Sequence, residues 1–156
     1  MEIRKARQSD LEGVKKLLSQ VLELHAKLRP DIFIPGTRKY TDDELREIFE
    51  DPERPIFIAA DDQDQVLGYC FCQLQERKGV VNMTDMKTLY IDDLCVDEAS
   101  RGQHVGRTLY EYVTDFARSE GCKNITLNVW EGNDKARAFY DSMGFGVQKT
   151  MMEKKL

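Results

Sequence analysis

No apolar run in this sequence approaches the roughly 20 residues needed to cross a bilayer, and its histidines number only two, its tryptophans one and its prolines four. The first ten residues, MEIRKARQSD, contain no apolar stretch of the kind that forms a secretory leader. The reading therefore expects a cytoplasmic chain with no membrane partner. Without a secretory route, the glycosylation-like tripeptides at Asn82 and Asn124 carry no weight. Cys70, Cys72, Cys95 and Cys122 do not make the dense disulfide framework of a small secreted domain. With only His25 and His104 to add ligands, a Cys/His metal centre lacks donors, so the expectation is reduced core thiols and no metal. The 23 basic side chains are outnumbered by 28 acidic ones, for a net charge of −5. That balance argues against a nucleic-acid partner, which calls for a basic patch, and permits a cationic substrate. There is no Gly-x-x-x-x-Gly-Lys-Ser/Thr loop and no Gly-x-Gly-x-x-Gly turn, which argues against the common nucleotide-binding motifs.

What is present is ordinary for a globular chain: 41% hydrophobic and 33% charged residues, without repeats or linkers. Residues 1–156 are read as one domain. Glu2 to Ala6 reads as a strand. Ser9 and Glu12 fit a capping box, and Leu11, Val14, Leu18, Val21 and Leu22 recur at helical spacing up to Pro30. Thr41-Asp-Asp-Glu-Leu looks like a second helix start, running to about Glu50. Ile56 to Ala60 and Val66 to Glu76 read as strands joined by an acidic turn. Thr88 to Val96 is a further strand. An amphipathic helix then carries Val105, Leu109, Tyr112, Val113, Phe116 and Ala117 on one face and stops at Gly121. Ile125, Leu127 and Val129 alternate as in a half-buried strand. A short helix from about Asn133 to Ser142 precedes a last strand from Phe145. The order β-α-α-β-β-β-α-β-α-β predicts an α/β (α+β) fold. Its sheet is mixed and mostly antiparallel, with six to seven strands and about four flanking helices.

The turn after Val96 offers a first chemical signal. The N–H groups that open a helix have no intrahelical partners, the helix dipole adds partial positive charge there, and glycines admit a ligand close to the backbone. Such a terminus binds phosphate readily, and Arg101 and Arg107 add cationic donors. A plain helix cap would need the same residues, and the turn alone leaves both readings open.

Arg101-Gly102-Gln103-His104-Val105-Gly106, following Leu94-Cys95-Val96, resembles the cofactor motif Gln/Arg-x-x-Gly-x-Gly/Ala of the GNAT superfamily of acyl-CoA N-acyltransferases. Asn133-Asp-Lys-Ala136-Arg-Ala-Phe139-Tyr140-Asp-Ser-Met-Gly144-Phe145 is similar to that family's second signature. His104 stands where the family usually has glycine. The resemblance implies an N-acetyltransferase that moves an acetyl group from acetyl-CoA to a primary amine within a ternary complex. The acceptor is left open between a small cationic amine and a protein amine. The other class in play is a non-catalytic acyl-CoA-binding module, which would need no acid or base.

The resemblance also implies roles. Leu94, Cys95 and Val96 would align the pantetheine arm through their main chain. Arg101, Gly102, Gln103, His104, Val105, Gly106, Arg107 and Thr108 would grip the pyrophosphate, and Asn133, Ala136, Phe139 and Tyr140 would complete the cofactor site. Tyr140 would protonate the leaving thiolate. Asp92-Asp93 looks like the acidic segment of the diamine acetyltransferase branch, which makes Asp92 the candidate base and Asp93 a holder of the substrate cation. Strand alternation allows only one of these two carboxylates to face a given cleft, and gives Asp92 the parity of Leu94 and Val96. A structural pair of carboxylates is the competing reading. Phe33, Tyr40 and Asn128 are expected at the acceptor side. The exposed edges of a mixed sheet also put a homodimer among the expectations.

Overall fold

A computed structural model of the chain describes residues 1–156. Strand β1 (Glu2–Lys5) leads through a short 3-10 turn into helix α1 (Leu11–Leu28), then α2 (Asp42–Glu50). Strands β2 (Ile56–Ala60), β3 (Val66–Arg77) and β4 (Met86–Val96) follow, then α3 (Val105–Ser119), β5 (Asn124–Leu127) and α4 (Asp134–Ser142). The five strands form one sheet in sequence order, antiparallel from β1 to β4 and parallel between β4 and β5. The α/β class is as expected, and so is the element order as far as α4. The strand count is not: residues 145–156 join no sheet, so there are five strands rather than six or seven.

Alternation along the strands divides the core in two. Ile56, Ile58, Tyr69, Phe71 and Cys95 face α1 and α2, where they meet Val14, Leu17, Leu18, Leu45 and Ile48. Phe57, Ala59, Cys70, Cys72, Leu89 and Ile91 face α3 and its buried stripe Val105, Leu109, Val113 and Ala117. Helix α3 comes so close to the sheet at Gly68 that a Cβ there would stand 3.2 Å from the side chains of Val105 and Leu109, and 2.9 Å from the Cys95 carbonyl oxygen of the neighbouring strand β4. Cys70 and Cys72 lie on this face with their sulfurs 3.6 Å apart, and all four cysteines are free thiols.

The helix starts differ from one another. Thr41 and Glu44 close a reciprocal capping box at α2, as the residue spacing suggests. Ser9 and Glu12 do not do so at α1. The Asp10 carboxylate accepts instead from the Arg7 backbone N–H at 2.7 Å and receives the Arg4 guanidinium at 2.7 and 2.9 Å. A buried arginine needs such a partner, so this aspartate is recruited to tie β1 to α1.

Candidate active site

Two features of β4 build the site. The first is a bulge. Phe71 pairs with Asp93 and Cys72 with Ile91, which leaves Asp92 as an extra residue opposite β3. The second is a splay. Pairing of β4 with β5 ends at Ile91 and Leu127, while pairing with β3 continues to Val96. The edge of Asp92 to Val96 that would face β5 therefore has no strand beside it.

The bulge overturns the expected alternation, because both carboxylates come to the face of β4 that carries α1 and α2. Tyr69 Oη donates to Asp93 Oδ2 at 2.6 Å. Lys39 Nζ and Tyr40 Oη both donate to Asp92 Oδ2, at 2.6 and 3.1 Å. Tyr40 stacks on Phe71, ring centres 5.8 Å apart, and Tyr69 meets Phe71 edge to face at 4.9 Å. Tyr40, Phe71 and Asp92 also line a small hollow together with Ile48, Arg54, Cys72 and Gln73.

The two carboxyls differ in character. Desolvation pushes Asp93 up to about 6, against the stabilising hydrogen bond from Tyr69. Asp92 is met by a cation instead. Burial of Lys39 works against its charge, yet the Asp92 carboxylate outweighs that and raises the ammonium's pKa. Tyr69, wholly buried beside Asp93, is raised well above the ordinary phenol range by desolvation.

Tyr140 comes from α4, where Asn133 caps the helix by accepting from the Ala136 N–H at 3.3 Å. Its ring sits edge to face against Phe139 and Phe145, 5.2 and 5.5 Å away. Desolvation raises its pKa, with lesser contributions from Cys70 and Asp93, so the phenol stays protonated at any physiological pH.

Beyond the open edge of β4, the chain enters the turn to α3. His104 is the N-cap and takes a left-handed conformation, with φ of +60°. That is why glycine suits this position. The imidazole is exposed, as is Gln103. The backbone N–H groups of Gly102 to Arg107 find no partner in the protein; the first bond of the series is Thr108 N–H to the His104 carbonyl at 3.0 Å. No acidic side chain lies in the first turn. Arg101 and Arg107 are exposed and only loosely paired, each 3.9 Å from a glutamate. Gly106 is wedged between neighbours: a Cβ there would meet Val96 at 3.4 Å and Phe139 at 3.5 Å. The two sequence signatures thus touch through Gly106 and Phe139.

The remaining acceptor-side expectations separate. Tyr40 joins the Asp92 cluster. Phe33 lies farther along, 5.1 Å from His25 and edge to face with Trp130 at 5.5 Å. Asn128 donates to Tyr90 Oη at 3.1 Å, just past the end of β5. Sequence reading missed Tyr69, Phe71 and Lys39. For Tyr69 and Phe71 the only available signal was aromatic residues facing Asp93 across an apolar strand.

A row of free donors fits a pyrophosphate, and an unpaired strand edge fits an extended amide-bearing arm, by the same main-chain pairing that recruits peptides to sheet edges. The comparisons with known proteins agree in kind. The model of the Acetyltransferase (GNAT) family matches residues 18–145. The peptidyl-lysine N-acetyltransferase YjaB of Salmonella typhimurium is 32% identical over 106 residues, covering 67% of this chain and 60% of that protein. The uncharacterized N-acetyltransferase YhfO of Bacillus subtilis is 30% identical over 146 residues, covering 93% of this chain and 89% of the relative. Among solved structures, a mutant of the BH1408 protein from Bacillus halodurans superposes with a TM-score of 0.96 at 33% identity, covering 100% of this chain and 99% of that one.

Proposed function

Because the chain belongs to the GNAT acetyltransferase family, we propose that it is an N-acetyltransferase that transfers the acetyl group of acetyl-CoA to a primary amine. The observation that carries this reading is the open edge of β4, which runs from the free donors of the α3 turn to the Asp92–Asp93 bulge. Bound acetyl-CoA would supply an acetyl thioester, whose carbonyl the amine attacks. The N–H groups of Gly102 to Arg107, with Arg101 and Arg107, hold the pyrophosphate. The main chain of Leu94, Cys95 and Val96 pairs with the pantetheine arm, and an N–H of that edge polarises the thioester carbonyl. Gln103 and His104 contribute backbone N–H rather than side chain to this grip, while Thr108 secures the turn, its N–H and its hydroxyl both donating to the His104 carbonyl. Asn133 and Ala136 set the start of α4, so that Phe139 and Tyr140 face the cofactor side.

The acid–base roles follow the environment of each group. Asp93, at about 6, is ionised near neutrality yet close enough in pKa to take a proton from the acceptor amine. Asp92 already holds an ammonium, that of Lys39, and is the natural counter-ion for a cationic acceptor. This reverses the division of labour drawn from the sequence, where Asp92 was the base. Tyr140 returns a proton to the departing sulfur. Tyr40, Phe33 and Asn128 lie on the acceptor side. That an alkylammonium is held on Asp92 supports a lysine side chain or a small aliphatic amine as acceptor. The relatives named for peptidyl-lysine acetylation point the same way.

Incubation with acetyl-CoA and an amine panel, including lysine peptides and aliphatic diamines, tests the proposal through release of free CoA thiol. Tight CoA binding with no thiol release for any amine would leave only a non-catalytic acyl-CoA-binding module.

A further inference from the structure

Lys39 occupies the place where the proposed reaction needs its acceptor. It lies on the connection between α1 and α2. Its Nζ stands 2.6 Å from Asp92 Oδ2 and 5.3 Å from the centre of the Tyr40 ring. Its charge also reaches Asp93, whose carboxyl is pushed up by desolvation and drawn down by the Tyr69 hydrogen bond and then by this ammonium. A primary alkylamine therefore already sits among the carboxyls of the bulge. The other ion-paired lysines are elsewhere: Lys15 on Glu12 and Asp42, Lys16 on Asp97, Lys78 on Glu76, Lys87 on Glu120 and Lys155 on Asp31.

The local chain gives this amine room to move. No backbone N–H or C=O from Ile34 to Tyr40 bonds to backbone. Side chains hold the segment instead: the Gly36 N–H donates to the Glu23 carboxylate at 2.7 Å, and Arg38 donates to the Tyr40 carbonyl at 2.8 Å and to Asp42. A segment without a backbone ladder shifts at low cost, and a lysine ammonium rides on a flexible four-carbon stem.

We infer that Lys39 is itself an acceptor: with acetyl-CoA bound, the chain acetylates its own Lys39 Nζ once, an inference that rests on the acetyltransferase reading. The ammonium passes one proton to the Asp93 carboxylate, and the freed amine attacks the acetyl carbonyl carbon. The C–N bond forms, the C–S bond breaks, and the sulfur leaves with the Tyr140 proton. The nitrogen sheds a second proton, which restores the phenol through solvent, and Asp93 releases its own. The net products are acetylated Lys39, free CoA thiol and one proton. Burial lowers the Lys39 pKa, but Asp92 outweighs it and leaves the ammonium raised, so this single event is slow beside turnover of a free amine. Its consequence is lasting. The amide is neutral, and Asp92 loses the cation that competes with an incoming acceptor.

Exposure alone would give a different order of modification. The side chains of Lys78 and Lys155 are 70% and 71% exposed, against 48% for Lys39, so uncatalysed acetylation reaches them first. The test incubates the full chain with acetyl-CoA and no acceptor, and follows each lysine by peptide mass spectrometry. Lys39 is expected to be acetylated at least tenfold faster than Lys78 or Lys155, with a first-order rate independent of protein concentration. Excess desulfo-CoA, which fills the cofactor site without a thioester, is expected to suppress modification of Lys39 alone. Acetylation of Lys39 no faster than that of the two exposed lysines, or at a rate proportional to protein concentration, overturns the inference. Thiol release with the amine panel would then leave the acetyltransferase reading standing. No thiol release with any amine, together with unmodified Lys39, defeats both.

Discussion

Asp93 holds its proton more tightly in the fold than in the unfolded chain, because desolvation lifts it from the ordinary carboxylate range to about 6. Between about pH 4 and pH 6 the folded state retains a proton that the unfolded state has lost, so stability falls as pH rises through that window. An Asp93→Asn variant should therefore be more stable than the parent above pH 6, by about 1–3 kcal/mol, while its turnover falls about a hundredfold, in the range of general-base removal. Thermal melts at pH 8, together with thiol release, read both halves. A variant that is inactive and no more stable would mean that the carboxylate's energetic cost has been misassigned. In the parent, kcat/KM should rise with pH through a midpoint near 6. Tyr140→Phe makes the complementary case. The phenol matters as the thiolate leaves, so turnover should fall at least tenfold with the Kd for CoA, measured by calorimetry, changed less than twofold. Unchanged turnover, with chemistry rate-limiting, would remove Tyr140 as the acid. The ring's contacts with Phe139 and Phe145 survive the change, which keeps packing out of the comparison.

At the scale of elements, the turn into α3 makes the sharpest claim. Gly106 sits within van der Waals reach of both Val96 and Phe139, so β4, α3 and α4 converge on a residue without a side chain. Gly106→Ala brings a methyl group to ordinary contact distance and should leave CoA binding within a few-fold. Gly106→Glu adds bulk and a negative charge beside the free N–H groups, and should weaken the calorimetric Kd for CoA by more than tenfold. Equal affinities for the two variants would show that the grip lies elsewhere. The same elements show what the sequence made legible. Helical stripes and the helix start at Thr41 depend on local spacing, and each stands where it was read; the two glycine-bearing signatures meet at Gly106 and Phe139. The bulge at Asp92 was invisible because it is a property of the pairing with β3. A period of two assigns the carboxylates to opposite faces unless the partner strand is known. Ser9 and Glu12 spelled a cap, but a buried Arg4, fixed only by the fold, recruited Asp10 instead. The tail from Phe145 was read as a last strand, but residues 145–156 pair with no strand of the sheet.

The whole molecule assembles the acceptor side from chain segments distant in sequence, and Lys39 is the clearest instance. The connection between α1 and α2 crosses the sheet face to put Nζ 2.6 Å from Asp92, 53 residues later, and beside the Tyr40 ring. That ammonium neutralises the carboxylate that would otherwise receive an incoming cation, and its raised pKa keeps it charged across the working range. Lys39→Met retains the aliphatic stem and removes the charge. It leaves Asp92 with only the Tyr40 hydroxyl, so a cationic acceptor should bind more tightly. KM for a lysine peptide or diamine is expected to fall three- to tenfold with kcat within a factor of two, because the gain arises in ground-state binding. The effect should shrink at high ionic strength, as an exposed charge contact does. A rise in KM would instead make Lys39 part of the acceptor's own binding surface, and would mean that the substrate presents a carboxylate or phosphate to this corner of the cleft.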